Sequence, residues 1–540
     1  MLEPDFTSHR QLVEYLDIPR STLQYWHQRK EGIEAAPEVV AFFESPAGVT
    51  FLHRLVLAAH FVMTLLGPCG IRLVCQFLVL TGLDRFVAAS YGPHQRVSAS
   101  MEQATVEFGQ AENQRLSEGM PPKKIAVCED ETFHPETCLV AMEPVSNFIV
   151  LEQYRADRTA ATWTAAMQEA IGERPIEIIQ ATSDEARGLC HHIKEDLGVH
   201  HSPDVFHVQH EIVRGMSASL SAKTRQADKK VEEAAQQRAR QQEAQQAYLQ
   251  GPRRPGRPPD FDQRIRTAQA HEADARQALE TSQTKQEQSR EAIAGISQAY
   301  HPYALESGAA RTPEEVSSSL ARHFFTLEQI AHQANLSERG VQKIYKAKRV
   351  VTHMVATIAF FFLTIRAKVE ALGLPPQVEN GVYEQLIPGI YLSQVAGKAP
   401  EAEQRHRLKK KSEDLLAPFR TRDGPFQQLD ESERKRLEQV AEECAQLFQR
   451  SSSCVEGRNG QLALRHHSLH RLSPRKLAAL TTVHNYAVKR PDGTTPAERF
   501  YGAKPRDLFE WILERVDLPG RPAKKRPQAA AVGSLYRATG

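Results

Sequence analysis

Apolar positions in the first part of the chain recur every three to four residues, the spacing of helices with one buried face. Residues 8–30 (SHRQLVEYLDIPRSTLQYWHQRK) read as a short helix with Leu12 and Leu16, a turn at Asp17-Ile18-Pro19, and a second helix with Leu23 and Trp26. This shape predicts a helix-turn-helix whose second helix presents Arg20, Arg29 and Lys30 to DNA. A plain helical hairpin fits the same pattern. A further helical pair is expected from Phe51 to about Gly82, split at Gly67-Pro68. At Pro121-Pro122 the texture changes. KKIAVCEDETF, CLVAMEPVS and NFIVLEQY read as three strands with tight turns, an antiparallel meander. A helix from about Arg158 to Gly172, with Trp163, Met167 and Ile171 on one face, precedes IEIIQATSDEARGL, a buried strand running into a helix at Ser183-Asp184. VHHSPDVFHVQHEI supplies a fifth short strand. The order β-β-β-α-β-α-β predicts a mixed five-stranded sheet with helices packed on it, an α/β core.

From about Leu220 the pattern becomes polar and helical, with arms over 220–249 and 261–296. Phe261, Ile265, Ala268, Ala275, Leu279, Ile293 and Ile296 form a sparse coiled-coil seam along the second arm. GPRRPGRPPDF between the arms cannot be helical, so a helical hairpin with a basic tip at Arg253, Arg254 and Arg257 is expected. The tip resembles an AT-hook for the minor groove, although Pro255 stands where that motif has Arg. HPYALESG reads as a loop. LEQIAHQANLSERGVQKIYKAKR resembles another helix-turn-helix, and 350–372 reads as a buried apolar helix, because its apolar run, Val350 to Ile365, is shorter than the ~20 residues a span needs and holds His353 and three Thr. Residues 398–440 read as a charged linker with short helices.

Composition narrows the class. Apolar residues make up 41% of the chain, enough for true cores. The net charge of +2 announces no nucleic-acid partner, so any DNA-facing surface must be local. Seven cysteines without a CxxC pair argue against a disulfide framework and suit a reducing compartment. The acidic, polar start MLEPDFTSHRQL shows no signal peptide, and a cytoplasmic location is expected.

The candidate chemistry rests on three carboxylates. Asp130 sits within the first strand, Asp184 at the end of the strand after the first helix of the core, and Glu456 in a helix after Ser451-Ser452-Ser453. Two Mg2+ ions need one bridging carboxylate and a further carboxylate on each side. Glu129 and Glu131 flank Asp130, so a one-residue slip in register would exchange the face, and Glu442 and Glu443 compete with Glu456. On that strand order, these positions resemble the ribonuclease H-like core of DDE-type bacterial insertion-sequence transposases. The long gap before Glu456 is similar to members with an all-helical insertion. The resemblance divides the chain into a DNA-binding region (1–120), a first part of the core (121–215), the insertion (216–440), a last part of the core (441–515) and a basic tail (516–540).

Asp204-Val-Phe-His207 resembles the Asp/Cys-x-x-His motif placed on the strand after the second aspartate, a supporting pair for the site. A zinc site from His200, His201, His207 and His210 ranks below that reading. Asn485-Tyr486 with Arg490-Pro-Asp-Gly-Thr-Thr-Pro-Ala-Glu-Arg499 resembles the ending of many such cores, and Thr495-Pro496 reads as an N-capped helix start. Arg458, Asn459, Arg465, His466 and His467 are expected to make a polar, basic helix face toward phosphate, with Arg458 and Arg465 on DNA. Lys409 to Lys411, Arg471, Arg475 and Lys476 are further phosphate candidates. The resemblance implies a transposase that cleaves transposon ends with two Mg2+ ions, Mn2+ being an acceptable substitute, and joins the freed 3′-hydroxyl to target DNA. The implied partner is double-stranded DNA, bound by at least a dimer, with no membrane. Three alternatives stay open: a ribonuclease H-like nuclease or resolvase without strand transfer, a catalytically silent DNA-binding regulator, and a coiled-coil scaffold.

Overall fold

Five strands form one mixed sheet in the order β3-β2-β1-β4-β5: β1 Lys123–Phe133, β2 Thr137–Glu143, β3 Phe148–Arg155, β4 Ile176–Ser183 and β5 His200–Pro203. The computed structural model describes residue 33 and residues 35–133, 135–252, 256–469 and 472–520. The expected helix-turn-helix with Arg20, Arg29 and Lys30, the tip residues Arg253 and Arg254, Arg471 and the tail from 521 lie outside those residues. β1, β2 and β3 pair antiparallel as the alternation predicts, while β4 runs parallel to β1 and β5 parallel to β4. Both faces of the sheet are covered, so β1 and β2 carry near-continuous buried runs, Ile125 to Glu129 and Cys138 to Glu143. The helix Ala160–Ile171 buries Trp163, Ala166 and Met167 in the sheet's core. Helices Ser453–Leu469 and Pro474–Tyr486 pack on β1, β2 and β3. Tyr91–Glu118 supports Pro474–Tyr486 from behind.

The edge strand β3 is held by a side chain. Asn485 accepts from the Ile149 N–H (2.9 Å) and donates to the Ile149 carbonyl (3.0 Å), completing that residue's backbone pairing. Thr495 N-caps Pro496–Tyr501 with Pro at its first turn, as the sequence predicts. Arg490 and Arg499 donate to the carbonyls of Val145 and Ser146 in the β2–β3 turn. The Asn485 to Arg499 ending is therefore cement for the meander.

The chain leaves the sheet after Pro203 and returns near Arg450. Between them lies a second, helical core that includes Ile212, Ile296, Tyr300, Phe324, Phe361, Leu392 and Phe448. Val205–Gln250 and Phe261–Ala299 form the expected antiparallel hairpin, bridged by Thr224–Ser282 and Ser221–Gln286 hydrogen bonds. Its first arm starts at Val205, upstream of the polar stretch from Leu220. The Phe261 to Ile296 seam is mostly half-buried: of its seven positions only Ala268 and Ile296 are buried, and Glu272 is buried beside it between Arg238 and Arg276. The 398–440 stretch is a correction. It forms helices Ala402–Thr421 and Glu431–Gln446, whose Leu408, Leu416, Phe419 and Leu437 join the helical core. The core packing was not legible because each helix buries only a narrow stripe.

Two segments, Pro46–Leu66 and Glu338–Glu370, are long and apolar enough to cross a membrane. Within the fold, Leu52, Val56 and Leu57 of the first and Met354, Ile358, Phe361 and Ile365 of the second are buried.

Candidate metal centre

Strand register brings the two aspartates together. Cys128 of β1 pairs with Thr182 of the parallel β4. Asp130 and Asp184 each lie two positions further on, at the same ends of neighbouring strands, and side chains two apart share a face. Asp184 Oδ1 accepts from the Ala186 N–H at 3.0 Å. Asp130 Oδ1 accepts from the Glu131 N–H (2.8 Å), and its Oδ2 accepts from Asn459 Nδ2 (3.1 Å) on the helix Ser453–Leu469. Glu456 stands in the first turn of that helix, three residues before Asn459, so both reach the same side. The flanking acids take the opposite face. Glu131 accepts from Trp163 Nε1 and Arg158, and buried Glu129 lies 3.8 Å from His192 Nε2. Glu443 pairs with Lys368, away from this cluster.

The electrostatics report the same crowding. Burial pushes the Asp130 carboxyl up from the usual 3.8 to about 6. The Glu131 N–H and His207 oppose that rise, and the charges of Asp184 and Glu456 add to it. Glu456 is raised as well, by burial and then by Asp204, with His207 opposing. Excess negative charge in a partly buried spot is the condition a divalent cation relieves.

His207 and Asp204 depart from the expected strand placement. β5 ends at Pro203, Asp204 N-caps the helix Val205–Gln250, and His207 stands in its first turn. The cap is favoured because Asp204 Oδ1 accepts from the Phe206 N–H at 2.7 Å. His207 Nε2 approaches Glu456 Oε1 at 4.0 Å. Asp204, His207 and Glu456 form one group whose ligand atoms lie within 4.8 Å of one another. Asp204 Oδ2 also accepts from the backbone N–H and hydroxyl of buried Ser452. The Val205 N–H donates to the Arg450 carbonyl at 2.9 Å. Asp204 thus clasps the segments that enter and leave the helical core beside Glu456. Asp204→Ala is expected to cost about 2–3 kcal/mol, from a lost cap and an unsatisfied buried Ser452 N–H. Urea unfolding of the variant checks this.

The donor set fits hydrated Mg2+. It is rich in carboxylate oxygens, and buried Asn459 Oδ1 and His207 Nε2 have no hydrogen-bond partner, leaving positions for metal-bound water. The four-histidine zinc alternative is not assembled: His200 bonds Thr357 Oγ1 and stacks on Phe360, while His201 faces Glu185 and His353.

Two predicted DNA contacts are corrected. Arg458 is only 4% exposed and makes a two-pronged ion pair with fully buried Glu152 of β3, at 2.7 and 2.6 Å. Arg465 is buried too. It donates to the carbonyls of Leu65, Leu66 and Gly67, capping the end of the segment Pro46–Leu66. Burial lowers its guanidinium to about 10, so it stays charged at neutral pH. Lys476 is likewise buried against Glu102, which Arg475 also approaches. Arg257, Lys409 and Lys410 are exposed. Asn459, expected on a phosphate-facing helix face, binds Asp130 instead, and sequence alone missed Glu152 and Ser452; the Glu152–Arg458 pair joins distant segments, and no local spacing marks it.

Residues 382–528 match the model of a family described as a family of unknown function, DUF6399. That span holds Glu456 and Asn459 but neither aspartate. No curated protein matches the chain.

Proposed function

We propose that this chain is a DNA transposase whose Asp130, Asp184 and Glu456 hold Mg2+ for cleavage of element ends and strand transfer. The observation that carries the reading is the convergence of two neighbouring strand ends and one helix on Asp130, with Asp184 and Glu456 both acting on its carboxyl. The sheet supports a ribonuclease H-like core: an antiparallel meander β1–β3, with β4 and β5 added parallel on the other side of β1. Bound there, divalent cations supply charge neutralisation to a phosphodiester and lower the pKa of an attacking water. The chain's residues do the positioning. Asn459 orients Asp130, the Ala186 N–H orients Asp184, and the Arg458–Glu152 pair fixes the helix that carries Glu456. His207 Nε2 lies 4.0 Å from Glu456 Oε1, within the group of donors around that carboxylate. No Ser or Tyr nucleophile is required, because water and then a 3′-hydroxyl attack directly.

The test is incubation of full-length protein with a plasmid carrying the gene's own flanking DNA, with Mg2+ or EDTA. The expected result is Mg2+-dependent nicking at fixed ends and joined products in target DNA. Cleavage without joined products would indicate a nuclease or resolvase, and neither product would leave a DNA-binding regulator.

A DNA surface is offered by the pair Pro313–Gln333 and Glu338–Arg349, joined by a tight turn through Asn335 as the sequence predicts. Gly340 packs its backbone against Gly215, a close approach that a Cβ would block. Arg339, Gln342, Lys346 and Arg349 stay exposed, while Lys348 pairs with Glu328. Lys346→Glu with Arg349→Glu is expected to weaken DNA binding about 10-fold or more and to flatten its salt dependence by about two phosphate contacts. Fluorescence anisotropy across a salt series measures both.

A further inference from the structure

A second cluster lies on the other side of Asp184, outside the centre described above. Glu185 follows Asp184 directly, His201 is on β5, and His353 is on the apolar helix Val351–Glu370 of the helical core. Glu185 Oε1 lies 3.1 Å from His353 Nδ1 and 4.0 Å from His201 Nδ1. One ligand atom from each of the three falls within 4.8 Å of the others. Three donors around a tetrahedral zinc-type ion, each about 2.0–2.1 Å from it, would be roughly 3.3 Å apart, so the group needs only a small contraction.

A second observation points into the same spot. The His201 side chain is fully buried, and its Nδ1 has no hydrogen-bond partner. A buried nitrogen left bare costs free energy unless something fills it. Its other ring nitrogen, Nε2, bonds Ser183 Oγ at 3.0 Å, which fixes the ring so that Nδ1 faces Glu185. Burial pushes the His201 imidazole down to about 4, so it is neutral at neutral pH and free to ligate.

We propose that Glu185, His201 and His353 form a site for a divalent transition-metal ion of the zinc type, which ties the helical core to the sheet. The mixed nitrogen and oxygen set favours such an ion over Mg2+. Lys194 Nζ lies 3.3 Å from His353 Nε2, so the metal-free ring carries its proton on Nδ1, toward Glu185. The ion takes the Nδ1 position, the ring proton moves to Nε2 by exchange with solvent, and exposed Lys194 turns away; the ring keeps one proton throughout.

The experiment is titration of untagged, EDTA-stripped full-length protein with Co2+, read by visible absorption, followed by Zn2+ displacement. The expected result is intense visible bands of a four-coordinate ion that saturate at one Co2+ per chain and are displaced by Zn2+, any Co2+ on the carboxylate centre being six-coordinate and only weakly absorbing. His353→Ala should weaken binding about 100-fold or more and abolish those bands, with circular dichroism unchanged, because His353 is partly exposed. Glu185→Gln is the second variant and should do the same should His353→Ala fail to fold. His207→Ala should leave the bands intact. Bands that persist in both cluster variants, bands lost in His207→Ala instead, or no bands in the wild-type chain would overturn the site. The readout needs no DNA, so its outcome is independent of whether the chain cuts and joins DNA.

Discussion

Asp130→Asn is expected to reduce Mg2+-dependent DNA cleavage by on the order of 10³-fold or more with the fold intact. The substituted amide keeps the shape and can still accept from the Glu131 N–H. Its new N–H₂ faces Asn459, whose unpartnered Oδ1 can rotate in to accept it. What is lost is the negative charge on the central strand. The same substitution carries a stability signature of opposite sign. The Asp130 proton is held more tightly in the folded chain, at about 6, than in the unfolded chain, at the usual 3.8. The folded state therefore loses stability as pH rises from about 4 to 6, and the full penalty is present above that range. Without metal at pH 7.5, Asp130→Asn should be more stable than the wild type by about 1–2 kcal/mol, a gain that disappears near pH 4. Mg2+ should raise the wild-type Tm at pH 7.5, raise it less at pH 5.5, and leave the variant's Tm unmoved. Wild-type cleavage rates in the variant would remove Asp130 from the site.

Arg458→Ala is expected to cost about 3–5 kcal/mol, because it strands the fully buried Glu152 carboxylate with only the Thr481 hydroxyl for company. Glu152→Gln should also be costly, since it leaves the buried Arg458 cation without its counter-charge, although the amide oxygen still accepts one hydrogen bond. A joint replacement, Arg458→Met with Glu152→Leu, should recover most of the loss, because the expense lies in an unpaired buried ion. Chemical denaturation of the sheet-bearing core measures all three. Equal losses for the single and joint replacements would mean that packing, and not charge, sets the effect. The Arg458→Ala protein should also cleave DNA poorly, since the helix bearing Glu456 rests on that pair.

Strands β1 to β5, the helix Ala160–Ile171, the hairpin arms and the capped helix at Thr495 were legible because each is encoded by local period and turn chemistry. Asp130 and Asp184 could be nominated for the same reason: both sit at identifiable positions on strands. Arg458 and Arg465 were misread because a basic helix face looks identical whether it meets phosphate or an inner carboxylate and a helix end. The partner decides, and Glu152 and Leu65 are hundreds of residues away. His207 was assigned to the wrong element because apolar Val205 and Phe206 continue the β-like texture, while Asp204 caps a helix there. The length and packing of the helices within 398–440 were hidden by their charge, since a stripe of Leu408, Leu416 and Phe419 is sparse among lysines and glutamates.

The first hairpin arm has a mechanical implication. Its 46 residues run unbroken from Val205 to Gln250, which at about 1.5 Å per residue makes a rod of roughly 70 Å. His207 stands at the foot of that rod, next to Glu456. A load applied at the far end acts through a long moment arm, so a swing of several ångströms there turns the foot by only a few degrees. Because His207 belongs to that rod, any rotation of the foot changes the separation of its imidazole from Glu456.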